Sequence, residues 1–189
     1  MRRMRRNSSE SPKRFLNADE IEAAIREVAD LAEASGVKVA LAGGCALQLY
    51  GSQRLTVDID IVAERPIRGL RKIKPLTFGG YASETSAGTV IDVMIRNDDF
   101  EEAFDDALYF AAKRRGLPIR VVRPEHLAAM KMIADRGKDQ VDLAWLVTSG
   151  TLDVVKTRKV IRKLLGPLPA RDFENFATEQ KWLKDIGRE

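Results

Sequence analysis

The sequence predicts an α/β (α+β) fold: a small mixed β-sheet flanked by helices and followed by a helical C-terminal annex. Two observations support this class. Residues 37–123 contain short runs in which polar and apolar side chains alternate, as in strands with one solvated face. After Pro124 the apolar residues instead recur every three or four positions, which is the helical period. We therefore divide the chain into a basic tail (1–14), an α/β core (15–123) and a helical part packed on that core (124–189).

The first elements of the core are predicted to be a helix, a strand and a second, short helix. "NADEIEAAIREVADLAEASG" has the amphipathic pattern of a helix, and Asn17 and Glu20 have the spacing of a capping box at its start. "VKVALAG" (37–43) is a short β-rich run that ends in glycine. "CALQLYG" (45–51) fits about two helical turns.

The remaining elements follow from the same two patterns. "DIDIVAE" (58–64) and "GTVIDVMIR" (Gly88–Arg96) read as strands, "LTFGGYASETSAG" between them as two glycine turns with one strand, and "LPIRVVRPE" as a last short strand. Four helices follow, over 124–137, 138–150, 152–166 and 170–187.

Length and composition fit one folded unit. The chain has 189 residues, of which 44% are hydrophobic, so it can bury a core. It lacks a run of about 18 apolar residues, and we expect no membrane span. The single cysteine, Cys45, excludes an internal disulfide and suits the reducing cytoplasm, which is the expected location. A helix start would lower the pKa of its thiol, yet we expect a small packed residue.

The positive charge is concentrated in the tail. Residues 1–14 contain six of the 32 Lys and Arg residues and one of the 28 acids, which leaves 26 basic and 27 acidic residues in the remainder. We expect the tail to be a solvated, disordered terminus. The alternative is that it contacts nucleic acid.

Two aspartates one residue apart are the most informative feature of the sequence. On a strand, Asp58 and Asp60 point to the same side, with Cα atoms about 6.5–7 Å apart. Carboxylates that close repel each other unless a positive charge lies between them, and a divalent cation such as Mg²⁺ supplies it. Asp92, in the middle of a neighbouring strand, is the candidate third acid.

Two glycines precede this pair. Gly43 and Gly44 follow a strand and open a helix, where glycine permits a tight turn and the free N–H groups suit a phosphate. A phosphate site a dozen residues before a carboxylate pair is the layout that holds a metal–nucleotide complex. The alternative is a glycine turn required only by geometry, followed by a solvated edge strand.

These motifs resemble a known group of proteins. Ala42-Gly43-Gly44 followed by Asp58-Ile59-Asp60 resembles the signature of the nucleotidyltransferase superfamily related to DNA polymerase beta, in its small prokaryotic branch. "GSQRLTVDID" resembles the corresponding segment of AbiEii-type toxins, and "RPEHLAAMKMIADRGKDQVDLAWL" resembles the helical element of the same group. The resemblance covers about Val37 to Val147, and the residues at the other motif positions are Arg54, Thr56, Lys131, Lys138, Asp139 and Asp142.

The resemblance implies a nucleotidyltransferase that moves an NMP from an NTP to an acceptor hydroxyl and releases pyrophosphate. It implies that Asp58 and Asp60 bind Mg²⁺ (or Mn²⁺) and the triphosphate, and that Asp92 is a further metal ligand or the general base. The residues implied to contact the nucleotide are Gly43, Gly44, Arg54, Thr56 and Lys131.

The resemblance leaves the acceptor open. RNA such as tRNA, or a protein, is the acceptor implied by the toxin-like branch, which also implies an antitoxin partner. The alternatives are a small-molecule transferase of the aminoglycoside or lincosamide type, and a nucleotide-binding module that has lost its chemistry.

Three residues of the helical part could have a purely structural role. Lys131 reaches a phosphate or forms an i,i+4 pair with Asp135. Asp142 pairs with Lys138 or supports the nucleotide. His126 lies in the first turn of a predicted helix, where we expect a surface or capping role.

Overall fold

The computed structural model describes residues 14–187, so all of the predicted tail except Arg14 lies outside the described residues. The predicted fold class is confirmed: six strands form one mixed sheet, flanked by seven helices, within the described residues. The elements are α1 (Ala18–Ala34), β1 (Val39–Leu41), α2 (Gly43–Leu49), β2 (Ile59–Ala63), β3 (Arg71–Pro75), β4 (Tyr81–Glu84), β5 (Val90–Met94), α3 (Glu101–Tyr109), β6 (Arg120–Val121), α4 (Pro124–Ala134), α5 (Gly137–Thr148), α6 (Val154–Leu165) and α7 (Pro167–Ile186).

The sheet brings two distant segments of the chain into contact at its centre. Its strand order is β3-β4-β5-β2-β1-β6. Strands β2 and β5 are parallel, and their register pairs Asp60 with Asp92. Strand β1 is antiparallel to β2 and parallel to β6, while β3, β4 and β5 form an antiparallel meander. The two predicted acidic strands are therefore direct neighbours.

The start of α1 has the predicted capping box. The Asn17 side chain accepts a hydrogen bond from the Glu20 backbone N–H at 2.9 Å, and the Glu20 carboxylate accepts one from the Asn17 N–H at 2.9 Å. These two bonds satisfy backbone donors that a helix start leaves without partners. The face that α1 buries comprises Ala24, Ile25, Val28 and Ala32.

Two elements were not predicted from the sequence. Strand β3 forms an edge of the sheet, all five of its residues are exposed, and its pairing with β4 is irregular between Lys72 and Lys74. It has no alternation of polar and apolar residues because neither face is buried. Helix α3 is also additional, and it packs against α4 through a short stripe that includes Ala103, Phe104 and Ala107.

The four predicted C-terminal helices are present and bury a continuous apolar core with the sheet. Helix α4 packs on α3, α5 and α6, and α7 packs on α5 and α6. Within residues 14–187, every helix is too short or too polar to span a bilayer. The largest fully buried side chains come from both halves of the chain and include Leu41, Ile59, Ile61, Ile91, Leu127, Leu146, Ile161 and Phe173.

His126 contradicts its predicted place on the surface. Its side chain is buried between α3 and α4, and its Nε2 lies 3.1 Å from Asp106 Oδ2. The partner, Asp106, belongs to the helix that was not predicted, so no local pattern indicated a reason to bury the imidazole.

Candidate active site

A cavity of about 540 Å³ lies between the central strands and the helices α4 and α5. Among the residues that line it are six of the eight predicted site residues: Gly43, Arg54, Asp58, Asp60, Asp92 and Lys131. The fold thus gathers residues from segments that are up to 88 positions apart, as the Arg54–Asp142 contact beside it shows.

Three carboxylates form one wall of the cavity, and we call Asp58, Asp60 and Asp92 the carboxylate cluster. Ile59 and Ile61 are fully buried on one face of β2, so the residue between them faces the other way, toward the cavity. Asp60 and Asp92 are register partners on adjacent strands. Asp58 precedes β2 and lines the same cavity.

The proximity of these acids changes the titration of one of them. Burial and the negative charges of Asp58 and Asp92 together raise the pKa of Asp60 to about 6, against the opposing effect of Lys131 and Lys138. Asp60 therefore carries its charge at a cost that a nearby cation would relieve.

Gly43 has a steric reason to be glycine. Its φ is +57°, in the left-handed region, and a Cβ built on it would lie 1.7 Å from Asp60 Oδ2. A Cβ on Gly44 would lie 2.9 Å from Thr56 Oγ1. The first glycine therefore lets the start of α2 approach the Asp60 carboxylate, and the second lets α2 approach the segment before β2.

Two predicted nucleotide contacts are not part of the cavity wall. Gly44 and Thr56 are buried behind it, and their contact with a nucleotide stays a prediction. The Thr56 hydroxyl donates to the Asp58 backbone carbonyl at 2.9 Å and lies 3.3 Å from the Asp58 carboxylate. Thr56 thus fixes the segment that carries Asp58.

Cys45 is the packed residue that the sequence predicts. Its thiol is buried, with Sγ 3.9 Å from the Asp58 carbonyl oxygen. Burial raises its pKa to about 12, and the charges of Asp60 and Asp58 act in the same direction. The expected lowering of the thiol pKa by the helix start is wrong, because burial and the adjacent carboxylates outweigh it.

On the helical side of the cavity lies a second charged group, the ion-pair network of Arg54, Lys131, Arg136, Asp139 and Asp142. Lys131 Nζ lies 2.8 Å from Asp139 Oδ1 and 2.6 Å from Asp142 Oδ2. Arg54 Nη1 lies 2.9 Å from Asp142 Oδ2. Both carboxylates and the ammonium are buried.

The network replaces the local pairs that were considered from the sequence. Lys131 contacts Asp139 and Asp142 rather than Asp135, which ends α4 in the left-handed region at φ 44°. Asp142 pairs with Lys131 and Arg54 rather than with Lys138. The network therefore ties the loop before β2 to α4 and α5.

Arg136 completes the network and was not singled out in the sequence. Its Nε lies 2.6 Å from Asp139 Oδ2. Burial alone would raise the pKa of Asp139, but hydrogen bonds from Arg136 and Lys131 outweigh it and hold that pKa below its usual value. Arg136 and Lys138 both line the cavity and add positive charge opposite the carboxylate cluster.

An aromatic wall of the cavity was not predicted from the sequence. Arg96 lines it, donates to the Asp98 carboxylate through Nε at 2.9 Å and lies over the rings of Phe78, Phe100 and Phe104 at 5.1–5.8 Å. The signal was present, since Arg96 lies two residues beyond the end of β5 and continues the alternation of Asp92 and Met94.

The donor set suits a hard divalent cation bound together with a ligand. Within residues 14–187, no group of three or more His, Cys, Asp or Glu side chains is placed to hold a metal ion by itself. Mg²⁺ is commonly bound by one or two carboxylates, with water and substrate phosphate oxygens as further ligands. The carboxylate cluster, with the raised pKa of Asp60, fits that partial role.

No protein-family model matches the chain, and no curated protein sequence matches it either. Solved structures do match. An antigenic nucleotidyltransferase-like protein from Paracoccidioides brasiliensis is 16% identical, with a TM-score of 0.50, over 87% of this chain and 95% of that one. The antibiotic-resistance factor ANT(2'')-Ia is 16% identical, with a TM-score of 0.52, over 82% of this chain and 96% of that one. The chain therefore has the fold of nucleotidyltransferase-like proteins.

Proposed function

We propose that this protein is a nucleotidyltransferase that moves an NMP from an NTP to an acceptor hydroxyl and releases pyrophosphate. The observation that carries the proposal is the register of two parallel strands, which sets Asp60 beside Asp92 at a cavity that Gly43 and Asp58 also line. The shared fold with nucleotidyltransferase-like proteins supports it.

In this proposal, Asp58 and Asp60 hold Mg²⁺ (or Mn²⁺) with the triphosphate. When bound, the metal would offset the negative charge of the triphosphate and of the pyrophosphate that leaves. The metal would stabilise the charged form of Asp60 most, because burial and two neighbouring acids disfavour that form. Thr56 holds the Asp58 segment through its hydroxyl and so orients the first of these carboxylates.

Asp92 is assigned to the acceptor. Its strand, β5, lies on the far side of β2 from β1, between β2 and β4. A carboxylate oxygen of Asp92 would accept the proton of the attacking hydroxyl. The hydroxyl oxygen would form its bond to the α-phosphorus as the bond from that phosphorus to pyrophosphate breaks. The aromatic wall around Arg96 lies on the same side and would face the acceptor.

The cations opposite the carboxylate cluster are assigned to the phosphates. Lys131 is held in place by Asp139 and Asp142, and Arg54 by Asp142. Both side chains are thus fixed before a ligand arrives, which reduces the entropy lost on binding. Lys138 is exposed at the start of α5 and lines the same cavity, so it would add a further positive charge.

The acceptor defines the finer function. A toxin-like enzyme would modify RNA such as tRNA, or a protein, and a drug-modifying enzyme would modify a small molecule. A polyanionic acceptor would lose affinity steeply as salt is raised, because its binding releases counterions. A small neutral or cationic acceptor would not show that slope.

Incubation of the protein with each α-³²P-labelled NTP, Mg²⁺, and total cellular RNA and protein tests the proposal. We expect label to appear on one acceptor, and EDTA or Asp60→Asn to abolish it. Asp105→Asn is the matched control, because Asp105 is an exposed acid that does not line the cavity. If neither RNA, protein nor a panel of aminoglycosides and lincosamides is labelled, while the protein is folded and binds Mg²⁺–NTP, the chain is a binding module instead.

A further inference from the structure

A second cavity, of about 440 Å³, is lined by residues of α3, the start of α4 and α6. None of its lining residues lines the first cavity. It thus differs from the proposed transfer site in position, and it also contains no carboxylate pair. The residues that the argument uses are Asp106, Phe110, Arg123, His126, Lys159 and Lys163.

The cavity has an excess of positive charge. Its four cations are Arg123, Lys156, Lys159 and Lys163. Lys163 Nζ pairs with Asp106 at 2.6 Å, and Lys156 Nζ pairs with Glu125 at 2.6 Å. Within the described part of the chain, no carboxylate pairs with Arg123 or Lys159. Arg123 donates through Nε to the Phe110 carbonyl oxygen at 2.7 Å, which leaves its terminal guanidinium N–H groups, together with the Lys159 ammonium, available to an anionic ligand.

The floor of the cavity contains a buried imidazole with an unsatisfied nitrogen. His126 is 5% exposed, and its Nδ1 has no hydrogen-bond partner among the described residues. Its Nε2 faces the Asp106 carboxylate, which only accepts, so Nε2 carries the proton. Burial lowers the pKa of His126, against the opposing effect of Asp106, so the ring is neutral at pH 7. Nδ1 is then an acceptor that needs an O–H or N–H donor.

A flat apolar surface adjoins these groups. The Phe110 ring stacks on His126 with centroids 5.8 Å apart and an interplanar angle of 19°, and Phe110 is 45% exposed. Tyr109 packs edge-on against it at 4.9 Å and is also exposed. Exposed aromatic rings beside cations are the combination that binds nucleotide bases and phosphates together.

We propose that this second cavity binds a nucleotide unit. Its phosphate would contact Arg123 and Lys159, and its base would lie against the exposed Phe110 ring, which stacks on His126. The same chemistry is present in a free mononucleotide and in a nucleotide of a single-stranded RNA. The proposal is independent of the transfer reaction, since the two cavities share no residue.

The experiment uses the fact that His126 is the only histidine of the chain. In the untagged full-length protein labelled with ¹⁵N-histidine, the imidazole signals need no assignment. We would titrate AMP, ribose 5-phosphate, inorganic phosphate and a single-stranded tetranucleotide at pH 7.5 in EDTA. We expect AMP or the tetranucleotide to shift the Nδ1 resonance with saturation, and inorganic phosphate to bind more weakly. Tighter binding of AMP than of the tetranucleotide identifies a free nucleotide as the ligand. Tighter binding of the tetranucleotide identifies single-stranded RNA.

Two charge reversals on α6 separate a built site from general attraction. Lys159→Glu should weaken the ligand by about tenfold or more, because it removes a charge-assisted contact and adds repulsion. Arg162→Glu is the matched control, since it makes the same charge change on the same helix at an exposed residue that does not line the cavity. It should change the affinity by less than about twofold.

Three results would overturn the proposal: no shift of the His126 signals by any probe, equal effects of the two charge reversals, or equal binding of AMP and inorganic phosphate. Lys159→Gln provides a second test should Lys159→Glu reduce folding. Asp58→Asn with Asp60→Asn should leave the His126 response unchanged, so the result stands whether or not the protein transfers nucleotides. Loss of the response in that double variant would place the ligand in the first cavity instead.

Discussion

The first cavity has two charged walls that are built in opposite ways. In the carboxylate cluster, like charges are held together, and burial and these charges raise the pKa of Asp60. In the ion-pair network, opposite charges alternate and lower the pKa of Asp139. Buried opposite charges that are fully paired hold elements in register, whereas adjacent like charges are retained only where a ligand compensates them. In the proposed function, the carboxylate cluster would bind the metal, and the ion-pair network would hold the surrounding elements together while it presents Lys131 and Arg54 to the phosphates.

The largest effect is expected from a substitution in the carboxylate cluster. Asp60→Asn should reduce transfer by about three powers of ten or more, because it removes the charge proposed to hold the metal and the triphosphate. It should also weaken Mg²⁺–NTP binding, measured by calorimetry. Asp92→Asn should abolish transfer and leave most of the Mg²⁺–NTP affinity, as its proposed role concerns the acceptor. Equal loss of affinity in the two variants would contradict the division of roles.

A substitution in the ion-pair network should mainly reduce the stability of the fold. Asp142→Asn removes the carboxylate that pairs with the Arg54 guanidinium and one of the two buried carboxylates that pair with the Lys131 ammonium, and we expect it to reduce the free energy of unfolding by about 3 kcal/mol. Urea denaturation measures this. The control is Asp172→Asn, in an exposed pair with Arg171, which should change the free energy by less than about 1 kcal/mol. A similar result for both would show that the network does not stabilise the fold.

The contact between α2 and the carboxylate cluster can be isolated with two glycines. Gly43→Ala and Gly116→Ala both place a side chain at positive φ, but only the first meets an obstacle, Asp60 Oδ2 at 1.7 Å. We expect Gly116→Ala to cost about 1–2 kcal/mol of stability, and Gly43→Ala about 1–3 kcal/mol more. Gly43→Ala should also lose transfer activity, since Asp60 must move. Equal costs would mean that α2 shifts freely.

The raised pKa of Asp60 predicts a pH effect on stability. Its pKa is about 6 in the folded chain against an ordinary value of 3.8. Between pH 3.8 and about pH 6, the folded state therefore binds this proton more tightly than the unfolded state does. Stability from this group is present below about pH 4 and is lost as pH rises through about 6. In EDTA at pH 7.5, Asp60→Asn should therefore raise the free energy of unfolding, by up to about 3 kcal/mol. Urea curves at pH 5 and 7.5 should show a smaller gain at pH 5, and a variant less stable than wild type at pH 7.5 would contradict this.

The smallest expected effect concerns the support of Asp58. Thr56→Val removes the buried hydroxyl that donates to the Asp58 carbonyl and should cost about 1 kcal/mol of stability. Thr56→Ser keeps the hydroxyl and should retain the activity that Thr56→Val loses in part. If Thr56→Val reduces Mg²⁺–NTP affinity as strongly as Asp60→Asn does, Thr56 itself contacts the nucleotide.

The carboxylate cluster was predictable because its information is local. Asp58, Asp60 and Asp92 each lie in an alternating strand pattern, and period-two geometry assigns them to a face. Whether the strands that carry them are neighbours depends on the order of the strands in the sheet. In that order β5 pairs with β2, although β3 and β4 come between them in the chain.

The ion-pair network was not predictable in the same way. Helical spacing suggested Asp135 as the partner of Lys131, but the chain leaves α4 at Asp135 in the left-handed region and returns along α5. The true partners come from that second helix, and Arg54 comes from a loop 88 positions earlier than Asp142. Partners of this kind depend on how helices pack, which no local pattern contains.

The outer ends of the sheet bear on how the protein behaves when concentrated. At one end, β3 has three basic side chains, a break in its pairing at Lys72–Lys74 and a terminal proline. At the other, β6 has only two residues, and Ala112 bridges to Val121 beside it. A neighbouring chain that approached either end would meet positive charge or find almost no free backbone to pair with. The sheet is thereby shielded from the edge-to-edge growth that leads to fibrils.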